Sequence, residues 1–340
     1  MKTAHPQKKG VRRRRVFYIP GYDPFHPRRY RELYRKEGTI QAEVSGYNLT
    51  LRPKAKSEGP YGWHVTSRIA DRSTDADFEL LVWSDIVRGS MSQTIAATYL
   101  QMIRTAWIYI GSGTLGRLMW LRKGPVIAAL YPVGMLIAQL LLSLLAGAVA
   151  GNLSAKGAGV LAGLVGWSLG PVAAYLYWPL FMVVAVSVLR WFKGQDGRFF
   201  AYYLMHDYAY SAQFKGANPP ALEERMKEFG DRISEALQSD TDEVLVVGHS
   251  SGAHLAVSIL SDLIRAGRVR ADGPALGFLS LGQVVPMVSF LPKADRLRAD
   301  LAFLAARDEV RWIDVTAPGD GCAFALCDPV AVSGVAPPDQ

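Results

Sequence analysis

Cysteine is nearly missing from this chain of 340 residues: Cys322 and Cys327, five apart, are its only two. That excludes a disulfide framework and a four-cysteine zinc site, so a reduced cytosolic setting with neither metal nor cofactor is expected. Charge is missing elsewhere. Gly124 to Ala155 and Gly157 to Leu189 hold no Asp, Glu, Lys or Arg, and each run exceeds the roughly 20 residues that cross a bilayer. A core helix of a soluble protein does not sustain such length without a charge, so two membrane spans are expected, the second kinked or re-entrant at Pro171 and Pro179. Charge-free spans also leave no ionisable group for a transport pathway.

Acidic residues are missing from the first fifteen positions, where Lys2, Lys8, Lys9 and Arg12 to Arg15 contribute much of the net charge of +8. Such a block addresses nucleic acid or anionic lipid, or is a solvated tail. The two spans favour lipid, and no nucleic-acid partner is expected. No apolar stretch stands behind the block, so it does not read as a secretory signal. Arg117, Arg122 and Lys123 precede the first span and Arg190, Lys193 and Arg198 follow the second, with only Lys156 between the runs. By the positive-inside rule both flanks, and both termini, are cytoplasmic in an inner or plasma membrane. Gly147 with Gly151, Gly159 with Gly163 and Gly166 with Gly170 repeat a small-xxx-small spacing, which suits packing of the hairpin on itself or a homo-oligomer.

What is present outside the spans reads as one α/β domain carrying an insertion. The division expected is a basic tail (1–14), the first part of the core (15–122), a transmembrane hairpin (123–192) and the second part of the core (193–340). Arg15 to Ile19 is a β-branched and aromatic run stopped by Pro20-Gly21, a strand entering a tight loop. His26 to Tyr47 carries Tyr30, Leu33 and Tyr34 at helical spacing among five basic residues. Short strands are expected at Asn48 to Arg52 and Trp63 to Ile69, a stronger one at Asp77 to Trp83, and a helix from Met91 to Ile110. Gly111 to Gly116 matches G-x-G-x-x-G, but no βαβ unit and no acidic residue follow, so it is not a dinucleotide site. The aromatic stretch Phe199 to Phe214, with His206 and Asp207, suits a bilayer interface. Further on, the pattern gives a helix from Pro220 to Leu237, strands at Leu276 to Leu281 and Val310 to Val315, and a helix from Lys293 to Ala306 between them.

The most informative stretch is Glu243 to Leu260, an apolar run that ends in Gly248-His249-Ser250-Ser251-Gly252 and flows into Ala253, Ala256, Val257 and Leu260 at helical spacing. It reads as strand, sharp turn and helix with a serine at the apex, the glycines flanking a turn that leaves no room for side chains. In this the chain resembles the α/β-hydrolase superfamily, over about Arg15 to Asp85 and Glu223 to Gln340. The resemblance implies an α/β-hydrolase-like, mostly parallel sheet with helices on both faces, interrupted here by the hairpin. It implies Ser250 as nucleophile, the Ser251 N–H as first oxyanion donor, and Gly21 and the Tyr22 N–H as the second oxyanion element, although Pro20-Gly21 stands where the family often has His-Gly. Asp320, in the loop past a late strand, is the expected acid and Asp314 its alternative.

No histidine follows Asp320, where the family order of serine, acid, histidine requires one. The frame lacks its last strand and histidine loop, or the base is supplied from elsewhere, with His26 the first choice and His206 the next, or the elbow is kept as architecture alone. His249 and His254 are read as packing residues. The function implied is a membrane-anchored serine hydrolase of the lipase, esterase or thioesterase kind, acting through a Ser250 acyl-enzyme on a lipid or acyl ester. The alternative is a non-catalytic membrane scaffold on a degenerate hydrolase fold.

Overall fold

The computed structural model describes residues 10–54, 59–91, 94–166, 172–317 and 319–337, and for 172–174 the backbone alone. Lys2, Lys8, Lys9, Gly170, Pro171 and Pro318 lie outside the described residues. The chain begins with β1 (Arg13–Ile19), α1 (Arg28–Ser45), β2 (Asn48–Pro53), β3 (Gly62–Ile69), β4 (Arg72–Leu80), α2 (Ser84–Ser90), α3 (Ile95–Gly111) and α4 (Thr114–Leu121). The two long helices α5 (Lys123–Leu164) and α6 (Val172–Gly194) come next, then α7 (Asp196–Phe199), α8 (Ala201–Gln213) and α9 (Pro220–Leu237). It closes with β5 (Glu243–His249), α10 (Ser251–Arg265), β6 (Ala275–Leu281), α11 (Val285–Ser289), α12 (Asp295–Ala305), β7 (Val310–Val315) and α13 (Pro329–Val332).

These elements form two compact units. The first comprises 1–90, 112–125 and 214–340, and the second 91–111 and 126–213. The first is an α/β fold around a seven-stranded sheet of order β2-β3-β4-β1-β5-β6-β7. β4, β1, β5, β6 and β7 run parallel, while β3 pairs antiparallel with both β2 and β4. The centre is apolar on both faces, as a parallel strand covered on two sides must be: Val16, Phe17 and Ile19 of β1 and Val244, Val246 and Val247 of β5 are all buried. One face packs on α9 and α10, with α12 against α10, and the other packs on α1. Trp83 explains why the expected strand Asp77 to Trp83 stops at Leu80. The Leu81 N–H still donates to the Tyr18 carbonyl of β1 at 2.9 Å, and the Trp83 indole then donates to the Pro20 carbonyl at 3.0 Å, which sets it against the loop after β1. At its other end β4 starts five residues early, at Arg72, because Ala70 adopts φ +50° and closes a hairpin with β3.

Buried charge ties the sheet together at one point. Glu79, 2% exposed, accepts from Arg15 and Lys54 through one oxygen and from Arg232 of α9 through the other. A single desolvated carboxylate thus holds three cations that would otherwise repel. The Gly111 to Gly116 segment links α3 to α4 with no strand before it, which is not the setting of a dinucleotide fingerprint. Thr114 starts α4 and donates to the Phe290 carbonyl at 3.0 Å.

The second unit is helical. α5 and α6 are long and apolar enough to cross a membrane. The expected break near Lys156 is not present: α5 continues through it to Leu164, and α6 begins at Val172. Gly157 and Gly159 each cost a helix only about 1 kcal/mol, too little to end one that is otherwise apolar and alanine-rich. Gly147 and Gly151 seat α6 on α5. A Cβ on Gly147 would lie 2.8 Å from the Phe181 carbonyl oxygen, and one on Gly151 would lie 2.7 Å from the Tyr177 ring. Among the described residues no atom lies within 4 Å of a Cβ on Gly159 or Gly163. α3 and α8 belong to this unit and not to the sheet, because Ala201, Tyr202, Met205 and Ala209 of α8 pack on Leu136 of α5. Burial there pushes the Asp207 carboxyl of α8 up to about 7.

Candidate functional site

In a parallel sheet the crevice for a ligand opens at the carboxyl ends of two neighbouring strands whose connections leave in opposite directions. Here those strands are β1, whose connection leaves through α1 to β2 at one edge, and β5, whose connection leads the other way to β6. Gly21 follows the first and Ser250 the second.

Ser250 has φ +54° and ψ −119°, a conformation almost confined to glycine and held only where the surroundings over-determine it. Three contacts do so. Its N–H donates to the Leu281 carbonyl at 2.9 Å, its carbonyl accepts from the Ala253 N–H at 3.1 Å, and the flanking glycines remove every atom that would block the turn. A Cβ on Gly248 would meet the Ala253 Cα at 2.7 Å, and one on Gly252 would meet the Ile19 carbonyl oxygen at 2.1 Å. A Cβ on Gly21 would stand 3.1 Å from Ser250 Cβ and 3.4 Å from its Oγ. The loop after β1 therefore lies against the serine.

The neighbouring donors are set by packing. Ser251 is the first residue of α10, so its N–H belongs to the open, positive end of that helix. Tyr22 is buried: its hydroxyl pairs with Ser90 Oγ at 2.6 Å and its ring meets Trp83 edge-on. That anchor holds the backbone of the loop beside Ser250.

Asp320 lies beyond β7, on the loop that also crosses the end of β6. Its Oδ1 accepts from the N–H groups of Cys322 and Ala323 at 2.9 and 3.3 Å, and its Oδ2 would stand 3.3 Å from a Cβ on Gly282. Gln283, fully buried, holds this loop through the carbonyls of Phe324 and Cys327. Arg122 of the segment before α5 reaches the Ala325 carbonyl at 2.7 Å. Asp314, the alternative acid, instead accepts from Ser280 at 2.5 Å and lines a separate cavity of about 510 Å³. Burial pushes its carboxyl up.

The histidines are distributed as follows. His26 is exposed; its Nδ1 accepts from the Arg28 N–H at 3.2 Å and its ring meets Tyr61 edge-on. His206 belongs to the second unit, with Nδ1 at 2.8 Å from Gln101 Oε1. His254 is buried with no partner for Nδ1, and desolvation pulls it down to about 4. His249 stacks on Tyr18 at 6.1 Å. His249 is exposed, yet partial desolvation of its ring lowers its pKa, and the carboxylates of Asp320 and Asp23 act against that shift. Asp23, overlooked in the sequence, also accepts from Tyr30; its place in the Pro-rich loop after β1 was the available signal. Among the described residues no histidine is hydrogen-bonded to Ser250 or to Asp320. No group of metal-ligating side chains occurs among them either. Comparison with family models, with curated proteins and with solved structures finds no match to this chain.

Proposed function

We propose that this chain is a membrane-anchored serine hydrolase on an α/β-hydrolase-like frame, forming an acyl-enzyme at Ser250 from a lipid or acyl ester or thioester. The observation that carries it is the backbone of Ser250, strained at φ +54° and wedged between glycines that admit no Cβ. Such strain raises the serine oxygen above the ends of β1 and β5, where a carbonyl can approach. In the reaction the Ser250 oxygen adds to the carbonyl carbon and its proton passes to an imidazole. The tetrahedral oxyanion rests on the N–H groups of Ser251 and Tyr22 beside Gly21. Collapse expels the alcohol or thiol with that proton, and water releases the acid by the same steps. Asp320 serves as the acid and His26 as the base brought to Ser250.

The anchor reading rests on α5 and α6. Only 6% of the α6 span is buried and 22% of the α5 span, where a core helix of a soluble protein would be mostly covered. With Gly151 beside Tyr177, α6 from Tyr175 to Gly194 lies alongside α5 from about 134 to 153, some 30 Å of helix. Lys156 then stands just past the slab, Tyr175 and Trp178 mark one interface, and Trp191 with Lys193 marks the other. The basic flanks face the cytoplasm.

A fluorophosphonate probe on the full chain in nanodiscs tests the enzyme. Wild type is labelled and Ser250→Ala is not. His26→Ala slows labelling and changes its pH profile if His26 is the base; His249→Ala is the comparison. Absence of labelling in wild type overturns the enzyme and leaves the non-catalytic scaffold, a reading favoured by the lack, among the described residues, of a histidine hydrogen-bonded to Ser250.

A further inference from the structure

The face of the sheet under α1 is not closed. A cavity of about 650 Å³ lies between that helix and strands β1, β3, β4, β5 and β6, within the size range of small-molecule sites. Its floor is apolar: Val16, Trp63, Val65, Ala76 and Val247 are buried there, and Leu245, Leu279 and Leu281 are half-buried around them. α1 roofs it through Tyr30 and Tyr34 yet fully buries only Ala42. Beyond its edge Ile313 and Val315 of β7, in register with Leu279 and Leu281, are 46% and 48% exposed. Parallel strands normally bury both faces, so this apolar wall is short of an occupant.

The shape says which kind. From Arg14 to Tyr18 on β1, and from Leu245 to His249 on β5, the lining runs four residues along the strands, about 13 Å at the strand rise. The space is bounded on one side by pleated sheet and on the other by one helix, so it is flat, and its path from Arg14 to His249 follows the strands. Arg14, Ser67 and Thr74 close one end, and His249 lies at the other, next to Ser250 in sequence and at the same strand ends; Glu37, three tyrosines and the Trp63 indole also line it.

We propose that this cavity binds the linear acyl chain of the substrate, with its carbonyl end at His249 and Ser250 and its tail running under α1 toward Arg14. The assignment rests on the serine-hydrolase reading for its orientation and on the cavity alone for its chemistry. With carbon–carbon bonds of about 1.5 Å in zigzag, 13 Å accommodates about ten carbons. Each added methylene tightens binding about fourfold until the slot is full.

Two measurements separate this proposal from the reading beneath it. The first is quenching of Trp63 fluorescence by fatty acids brominated at the terminal carbon, C4 to C16, added to full-length Ser250→Ala protein in nanodiscs, with Trp63→Phe as the control that isolates the Trp63 signal. The second is the rate of Ser250 labelling by alkyl fluorophosphonates of the same lengths. The expected result is a fourfold gain per methylene that levels near C10 in both, and levels at a shorter chain in Ala76→Phe, whose ring enters the slot. Wild-type length dependence stands as the test if Ala76→Phe does not fold. Labelling at a rate independent of length, with no Trp63 quenching, overturns the acyl site and leaves the hydrolase. Length-dependent quenching with no labelling keeps the site and overturns the hydrolase. Equal competition by a rigid sterol overturns the linear-chain assignment.

Discussion

Replacing Gly252 by alanine tests the elbow without touching the serine. The added Cβ would lie 2.1 Å from the Ile19 carbonyl oxygen and 2.8 Å from that of Pro20, against about 3.4 Å for an ordinary C···O contact. More than 1 Å must be found, and both sides are backbone. Ile19 is fully buried in β1 between β4 and β5, and α10 is itself pressed against Gly248, where a Cβ would meet Ala253 at 2.7 Å. Overpacking commonly costs 1–3 kcal/mol, and a bond-angle distortion of 15° costs about 4; Gly252→Ala should therefore lose about 3 kcal/mol or more. Gly230→Ala is the matched control. It sits inside α9, and its Cβ would meet Leu263 and Ile259 at 3.8 and 3.9 Å, ordinary contact. Removing a mid-helix glycine there should stabilise by about 1 kcal/mol. Urea unfolding in nanodiscs, followed by the emission of Trp83, reads both, because that indole is bonded to Pro20 in the contested loop. Folded Gly252→Ala protein within about 0.5 kcal/mol of wild type would refute the elbow geometry.

Acid stability should depend on His254. Its pKa is about 4 in the fold and about 6.5 in an unfolded chain, so the unfolded state takes up the proton first. Stability is full above pH 6.5 and falls by about 3 kcal/mol as pH drops through 4; in unfolding curves from pH 7 to 4, His254→Leu should flatten that slope, and an unchanged slope would count against it. In the hairpin, Gly151→Leu should part α6 from α5, since even a Cβ there meets Tyr177, whereas Gly134→Leu, with nothing within 4 Å of its Cβ, should be silent. Cysteine cross-linking between α5 and α6 would show it, and equal effects of the two changes would contradict the register.

The elbow was legible because its causes are local. A β-branched strand, two glycines around His249-Ser250-Ser251 and an apolar helix stripe are consecutive in sequence, and β5 and α10 form there. The two apolar helices were legible for the same reason, though not their turn, since glycines near Lys156 weaken a helix without ending it. The start of β4 was missed because its hairpin turns on Ala70 and Asp71, which carry no glycine or asparagine signal. The grouping of α3 and α8 with α5 was missed because amphipathic helices do not name their partners.

By itself the sequence determined which residues bend and which are apolar, since sterics and hydropathy act over a few neighbours. Only the tertiary structure decided that Gly21 meets Ser250 from a strand some 230 residues earlier, that Asp320 settles over Gly282, and that no described histidine is bonded to either. The open slot under α1 is likewise a property of packing. Its walls come from five strands and one helix, and no local pattern encodes the space left between them.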